Sequence, residues 1–121
     1  MKLLYVDDKP ERLEVMKARL GRLGYHVETA LSGPEALKKF KENATDLAIV
    51  DYYMPGMNGD VVAMEMKRLQ PFVPIIIFSG TLTLPEMVMA YVDGFVSTSD
   101  EPDLLIEKVS ELLMRKAVRA S

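Results

Sequence analysis

The chain has 121 residues, of which 49% are hydrophobic and 27% charged, and its 15 basic and 18 acidic side chains give a formal net charge of -3. A chain of this size buries roughly two thirds of its unfolded surface, which predicts a single domain over residues 1–121 and excludes intrinsic disorder. The mild acidity argues against direct nucleic-acid binding, and the lack of cysteine excludes disulfide scaffolds and thiolate metal centres.

The N-terminal segment also bears on location. In MKLLYVDD only four apolar residues separate the lysine from two carboxylates, so there is no hydrophobic signal-peptide region. No apolar run approaches the roughly 20 residues that span a bilayer. We therefore expect a cytoplasmic protein that has no membrane partner.

Short apolar runs alternate with segments of helical periodicity along the chain, and this alternation predicts the fold class. The predicted strands are residues 2–6, 25–30, 46–50, 74–78 and 94–97. Several are apolar on both faces, as parallel strands covered by helices on both sides are. The pattern predicts an α/β fold with a doubly wound, five-stranded parallel sheet.

Apolar residues at helical spacing predict the core faces of three helices. They are Leu13, Met16, Leu20 and Leu23 in the first helix, Ala36, Leu37 and Phe40 in the second, and Leu105, Val109, Leu112 and Leu113 in the last. Pro10 and Pro34 suit first helical turns, and Ser32 and Asn58 suit N-caps. The boundaries of the helices are thus marked by residue type as well as by periodicity.

Residues 81–92 predict a short helix that begins at about Pro85, because proline limits where a helix can start. Their apolar side chains crowd more than one face. These side chains are Leu82, Leu84, Met87, Val88, Met89 and Val92. They belong either to the core or to a docking surface.

Acidic residues follow two of the predicted strands directly. Asp7 and Asp8 follow the first strand, and Asp51 follows the third. With a strand order of 2-1-3-4-5 the three carboxylates converge at the carboxyl edge of the sheet, where such folds bind ligands. Two unit charges about 5 Å apart repel by on the order of 3 kcal/mol at an effective dielectric constant of 20. Oxygen-only ligands then favour Mg²⁺ or Mn²⁺, the alternative being that all three are solvated loop acids.

These residues make the chain resemble the receiver domain of two-component response regulators over essentially its whole length. Besides the acidic pair, residues 51–59 read DYYMPGMNG, similar to the family pattern D-x-x-M-P-x-M-D/N-G, and residues 74–80 read PIIIFSG, with the expected hydroxyl and small residue at the end. The resemblance implies a flavodoxin-like fold with sheet order 2-1-3-4-5. It also implies a signalling domain that is not an enzyme and that receives a phosphoryl group from a histidine kinase or phosphotransfer protein.

The resemblance further assigns roles around the acceptor. It implies that Asp51 is the phosphoacceptor, and that Mg²⁺ is held by Asp7, Asp8, Asp51 and the backbone carbonyl of Tyr53, with Asp7 acting largely through water. Mn²⁺ has the same ligand preferences. These assignments place the metal ligands and the nucleophile in one cluster.

Three more positions follow from the same resemblance. Ser79 and Gly80 are expected to contact the phosphoryl group, and Ser79 and Phe95 to form the conformational switch. The switch is expected to act on a surface made of the fourth helix, the fifth strand and the fifth helix, through a downstream effector or through self-association. For Phe95 the alternative is a permanently buried core side chain.

The chain departs from the family pattern after the fifth strand. Aligning Phe95 with the switch aromatic places Thr98 where the family usually has a lysine. A hydroxyl donates a hydrogen bond but carries no positive charge, so the phosphorylated state is expected to lose part of its stabilisation. Lys9, Ser97 or Ser99 could take part of that role. The stretch from residue 80 to 95 also looks a few residues short, which predicts a reduced fourth helix.

Three functions are compatible with these residues. The first is a phosphoacceptor signalling domain, and the second is a pseudo-receiver that acts as a constitutive protein-interaction module. The third is a metal-dependent phosphohydrolase, for which the sequence offers no general base. No output domain follows Ser121, which leaves open both a free-standing regulator and a fragment of a longer protein.

Overall fold

A computed structural model of the chain describes residues 1–80, 84–97 and 102–120. In these ranges strands and helices alternate from the first strand to the last helix. The elements are β1 (Lys2–Val6), α1 (Pro10–Arg22), β2 (His26–Ala30), α2 (Gly33–Glu42), β3 (Leu47–Val50), α3 (Gly59–Leu69), β4 (Ile75–Ser79), α4 (Glu86–Tyr91), β5 (Gly94–Ser97) and α5 (Pro102–Ala120). The predicted strand bounds agree to within one residue at each end.

All pairs of neighbouring strands are parallel, and the sheet order is β2-β1-β3-β4-β5. The predicted fold class is therefore confirmed. The order makes β1 and β3 direct neighbours, with Val6 opposite Val50. β2 lies on one side of β1, whereas β3, β4 and β5 follow on the other side. The loops after β1 and β3 therefore turn in opposite directions and leave a crevice at the carboxyl edge.

Side chains alternate between two cores, one on each face of the sheet. One core contains Tyr5 and Ile49 from the sheet and packs against the buried faces of α1 and α5. The other contains Val6 and Val50 and packs against α2 and α3. Both faces of the central strands are thus buried, as their apolar composition predicts.

One predicted core residue lies outside the core. Leu23 is 54% exposed, because α1 ends at Arg22 and Leu23 is its C-cap. The chain then turns at Gly24, whose φ is +96°. The prediction was wrong because the helix ends one residue before the apolar spacing does.

The predicted N-caps differ in what their side chains do. Ser32 Oγ accepts a hydrogen bond from the Glu35 amide at 3.3 Å, and the Glu35 carboxylate accepts one from the Leu31 amide at 3.0 Å. The first bond satisfies an amide that the first turn of α2 leaves unpaired, and the second holds the residue that precedes the N-cap against the helix. Asn58 is the N-cap of α3, but its side chain makes no capping hydrogen bond.

The fourth helix is short, as predicted, and its apolar side chains divide between the core and solvent. It has six residues and Pro85 as its N-cap. Val88 is buried, whereas Met87 is 81% exposed and Met89 is 49% exposed. Leu82 lies outside the described residues. Within the described ranges, every helix is too short or too polar to cross a membrane.

The loop between β3 and α3 follows a path that only glycine allows at residue 59. The Gly59 amide donates a hydrogen bond to the Tyr52 carbonyl at 2.7 Å. A Cβ atom on Gly59 would lie 2.1 Å from the backbone oxygen of Asp51 and 2.9 Å from Tyr52 Cα. The start of α3 therefore packs directly against the backbone of Asp51.

We predict that Gly59→Ala lowers the free energy of unfolding by about 2 to 4 kcal/mol, because its methyl group has to displace backbone atoms. Urea unfolding followed by circular dichroism measures this. Gly21→Ala is the matched control, since Gly21 lies in α1 with nothing within 4 Å of its added Cβ. The free energy of unfolding of that variant is expected to be about 0.5 to 1 kcal/mol higher than that of wild type, because alanine favours a helix more than glycine does. Equal stability of Gly59→Ala and wild type would contradict the close approach.

Candidate functional site

The backbone of β1 and β3 brings three carboxylates together at the carboxyl edge of the sheet. The Asp51 amide donates to the Val6 carbonyl at 2.9 Å, and the Asp7 amide donates to the Ala30 carbonyl at 3.1 Å. The two residues that follow the strands are thus held in line with them. One ligand atom from each of Asp7, Asp8 and Asp51 lies within 4.8 Å of the others.

The carboxylates of this cluster are largely removed from solvent. Asp7 is 1% exposed and Asp51 is 7% exposed. Burial, together with the charges of Asp7 and Asp8, raises the pKa of Asp51 to about 6, although Arg12 acts in the opposite direction. Burial also raises the pKa of Asp7 above its ordinary value. Burial and mutual repulsion therefore both disfavour the ionised form of these carboxyls.

The donor atoms of the cluster fit a hard divalent cation. Among the described residues, Asp7 Oδ2 and Asp8 Oδ1 are buried without a hydrogen-bond partner. The other Asp7 oxygen accepts a hydrogen bond from the Lys9 amide at 3.0 Å. Buried carboxylate oxygens with free lone pairs are the ligands that Mg²⁺ takes in proteins.

Two serines lie at the carboxyl ends of the adjacent strands. Ser79 ends β4 and is fully buried, and it stands opposite Ser97 of β5, which is also buried. Gly80 follows Ser79 and is exposed. Because β4 lies beside β3, Ser79 is at the same edge of the sheet as the acidic cluster. Thr98 and Ser99, the other hydroxyls considered from the sequence, lie outside the described residues.

The two aromatic residues singled out from the sequence occupy different environments. Phe95 is partly buried and packs against the core on the α2 and α3 face of the sheet. Tyr53 is 59% exposed, and its ring meets that of Tyr52 edge-on at a centroid distance of 4.8 Å. The backbone of Tyr53 nevertheless lies close enough to the Asp51 carboxyl to lower its pKa.

The structure adds a residue that sequence analysis missed. Arg12 Nε lies 3.2 Å from Asp7 Oδ2, and the arginine side chain is only 30% exposed. Lys9, considered as a substitute cation, is exposed and contacts Asp7 through its backbone amide. The available signal was the helix start at Pro10, since side chains in a first turn lean back towards the N-terminus of their helix.

The raised pKa of Asp51 predicts how stability depends on pH. Since the folded-state value of about 6 exceeds the ordinary 3.8, the protonated carboxyl favours the folded state below about pH 4, and this benefit is lost as pH rises through 6. Asp51→Asn removes the charge. We expect the metal-free variant to be about 1 to 3 kcal/mol more stable than wild type above pH 7 and similar to it near pH 4.

Urea unfolding in EDTA across this pH range measures the difference. Asp103→Asn is the control, because Asp103 is an exposed aspartate paired with Arg19 away from the cluster. Its free energy of unfolding is expected to differ little from that of wild type, and the difference is expected not to vary with pH. A constant difference for Asp51→Asn at all pH values would show that the ionised Asp51 carboxylate is not disfavoured in the folded state.

Comparison with known proteins gives a consistent result. The family model for the response regulator receiver domain matches residues 3–110. Transcriptional regulatory protein GlrR of Escherichia coli (strain K12) is 35% identical over 118 residues, which is 95% of this chain. This chain spans only 27% of the length of GlrR.

Solved structures agree at the level of the whole fold. Response regulator protein TrrA of Thermotoga maritima, in complex with Mg(2+)-BeF, is 37% identical with a TM-score of 0.87, covering 92% of this chain and 97% of its own. A structure of histidine kinase ThkA in complex with TrrA matches at 38% identity and a TM-score of 0.86. That match covers 93% of this chain and 97% of the matched one.

Proposed function

This chain belongs to the response regulator receiver domain family, and on that premise we propose that it is a phosphoacceptor signalling domain modified on Asp51. The observation that carries the proposal is the convergence of the Asp51 carboxyl with those of Asp7 and Asp8 in a buried pocket. The phosphoryl donor is a histidine kinase or phosphotransfer protein. The complex of the similar protein TrrA with histidine kinase ThkA supports this type of partner.

The proposed reaction uses the Asp51 carboxylate as the nucleophile. One of its oxygens attacks the phosphorus of a phosphohistidine, the P–N bond breaks, and the imidazole nitrogen that leaves takes up a proton. The product is an aspartyl phosphate. A pKa of about 6 leaves Asp51 mostly ionised at neutral pH, and its burial keeps competing water away from the carboxyl.

The remaining residues hold and orient the reacting groups. Asp7, Asp8, Asp51 and the backbone carbonyl of Tyr53 are the proposed ligands of Mg²⁺ or Mn²⁺, which when bound neutralises charge on the phosphoryl oxygens. The buried oxygens of Asp7 and Asp8 that have no hydrogen-bond partner among the described residues support this ligand set.

Ser79 and Gly80 are proposed to contact the phosphoryl group. The hydroxyl of Ser79 lies at the carboxyl end of β4, beside the strand that carries the acceptor. Gly80 is exposed and has no side chain that would hinder a contact between its backbone and the phosphoryl group. Thr98, at the position where the family usually has lysine, is proposed as a further hydroxyl contact.

We propose that residues 1–121 form one receiver domain that signals through α4, β5 and α5. Exposed apolar side chains on two of these elements support such a surface, with Met87 on α4 and Leu104 on α5. The partly buried Phe95 lies on β5 between them and is the proposed switch residue. The partner is a downstream effector or a second copy, and the proposed compartment is the cytoplasm.

Phosphorylation is tested with acetyl phosphate or phosphoramidate plus Mg²⁺, followed by intact mass spectrometry. We expect the mass of one phosphoryl group to be added to wild type and to Asp103→Asn, and not to Asp51→Asn or to protein in EDTA. No gain with any donor would favour a constitutive interaction module. Turnover of an unrelated phosphate ester would favour a phosphohydrolase.

A further inference from the structure

Phosphorylation would leave the site with more negative charge than a divalent cation offsets. Asp7, Asp8 and an aspartyl phosphate at position 51 together carry about four negative charges, and a divalent cation compensates for two of them. The pocket is buried, so solvent screens the remainder poorly. A protein cation at the rim of the pocket would therefore stabilise the phosphorylated form.

Arg12 lies at this rim. It is the third residue of α1, and the Arg12 amide donates to the Lys9 carbonyl at 3.1 Å, which fixes the first turn against the β1–α1 loop. Its Nε atom lies 3.2 Å from Asp7 Oδ2, one of the three clustered carboxylates. The guanidinium is thus anchored beside the pocket by an ion pair and by the helix that carries it.

The charge of Arg12 acts on the acceptor as well as on Asp7. It lowers the pKa of both Asp7 and Asp51. Lys9 contacts Asp7 through its backbone amide, whereas Arg12 contacts it through its charged side chain. Of these two cations, Arg12 is the one whose charge is shown to lie against the cluster.

The guanidinium also keeps its hydrogen-bonding capacity. Asp7 Oδ2 has no hydrogen-bond partner among the described residues, so the contact with Arg12 is an ion pair without hydrogen-bond geometry. A guanidinium carries five N–H donors and suits the oxygens of a phosphoryl group. Arg12 therefore has donors available for an incoming anion.

A buried hydroxyl lies in the same electrostatic environment. Tyr5 is 1% exposed, and its hydroxyl has no hydrogen-bond partner among the described residues. Tyr5 is close enough to Asp7, Asp51 and Arg12 for their charges to act on its hydroxyl. A buried hydroxyl without a partner is rare, and a phosphoryl oxygen would give it one.

We propose that Arg12 is the cationic contact of the phosphoryl group in this protein. The family usually makes this contact with a lysine after β5, and this chain has Thr98 at that position. The inference rests on the proposed function. In the unmodified protein Arg12 neutralises part of the charge on Asp7, and after phosphorylation it donates to a phosphoryl oxygen. Arg12 thus competes with the metal ion for the Asp7 carboxylate, but it stabilises the phosphoryl group on Asp51.

Because Arg12 is proposed to oppose metal binding and to favour anion binding, its removal is expected to change the two affinities in opposite directions. The full chain is prepared as wild type, Arg12→Gln, Arg12→Lys and the control Arg19→Gln, which removes an arginine of the same helix that pairs with Asp103. Calorimetry measures Mg²⁺ affinity first, and then beryllofluoride affinity at saturating Mg²⁺. Circular dichroism confirms that each variant is folded.

We expect Arg12→Gln to bind Mg²⁺ several-fold more tightly than wild type and beryllofluoride about ten- to hundredfold more weakly, through loss of a charge-assisted hydrogen bond. Arg12→Lys, which keeps the charge but not the planar fork, is expected to fall in between. Arg19→Gln is expected to match wild type in both titrations.

Two outcomes would overturn the inference while leaving the proposed function intact. One is wild-type beryllofluoride affinity in Arg12→Gln, and the other is an equal weakening of Mg²⁺ and beryllofluoride binding, which would indicate a structural role. Should wild type itself bind no beryllofluoride and accept no phosphoryl group, the proposed function and the role of Arg12 would both be wrong.

Discussion

Repulsion among buried carboxylates is the constraint around which this molecule is organised. Parallel pairing of β1 with β3 forces the residues that follow the two strands to the same edge of the sheet, and there Asp7, Asp8 and Asp51 lie within a few ångströms of one another. Burial strengthens their repulsion and raises the pKa of Asp51 to about 6. The folded state therefore carries an unfavourable interaction that a cation relieves. Packing elsewhere in the domain supplies the stability that tolerates it.

That packing is concentrated where the acidic cluster needs support. Both central strands are buried on both faces, so neither can shift to let the charges separate. The loop after β3 is equally restricted. The Gly59 amide donates a hydrogen bond to the Tyr52 carbonyl, and a side chain at position 59 would collide with the backbone of Asp51. Charged groups held on rigid elements keep their geometry when a ligand arrives. The cluster is therefore expected to have low mobility, because the buried central strands and the close packing at Gly59 hold its backbone in place.

The surface proposed for signalling is joined to this rigid region by specific contacts. The Tyr91 hydroxyl, at the end of α4, donates to the carbonyl of Asp60 in the first turn of α3 at 2.9 Å. On the sheet side, β4 ends in Ser79 and pairs with β5, where Phe95 stands opposite Ile77. The short α4 is therefore anchored at its C-terminus to the helix that begins beside Asp51.

The apolar pattern determined the five strands to within a residue, the parallel sheet and the placement of acids after two of its strands, because these depend on local periodicity and on residue type. It could not determine where α1 ends, and so assigned the exposed Leu23 to the core. Nor could it select among nearby cations. Lys9 is closer to the acids in sequence, but only the direction in which the first turn of α1 leaves the sheet brings Arg12 to Asp7. Burial, which sets the pKa of Asp51, likewise arises from the whole packed domain and has no counterpart in a linear motif.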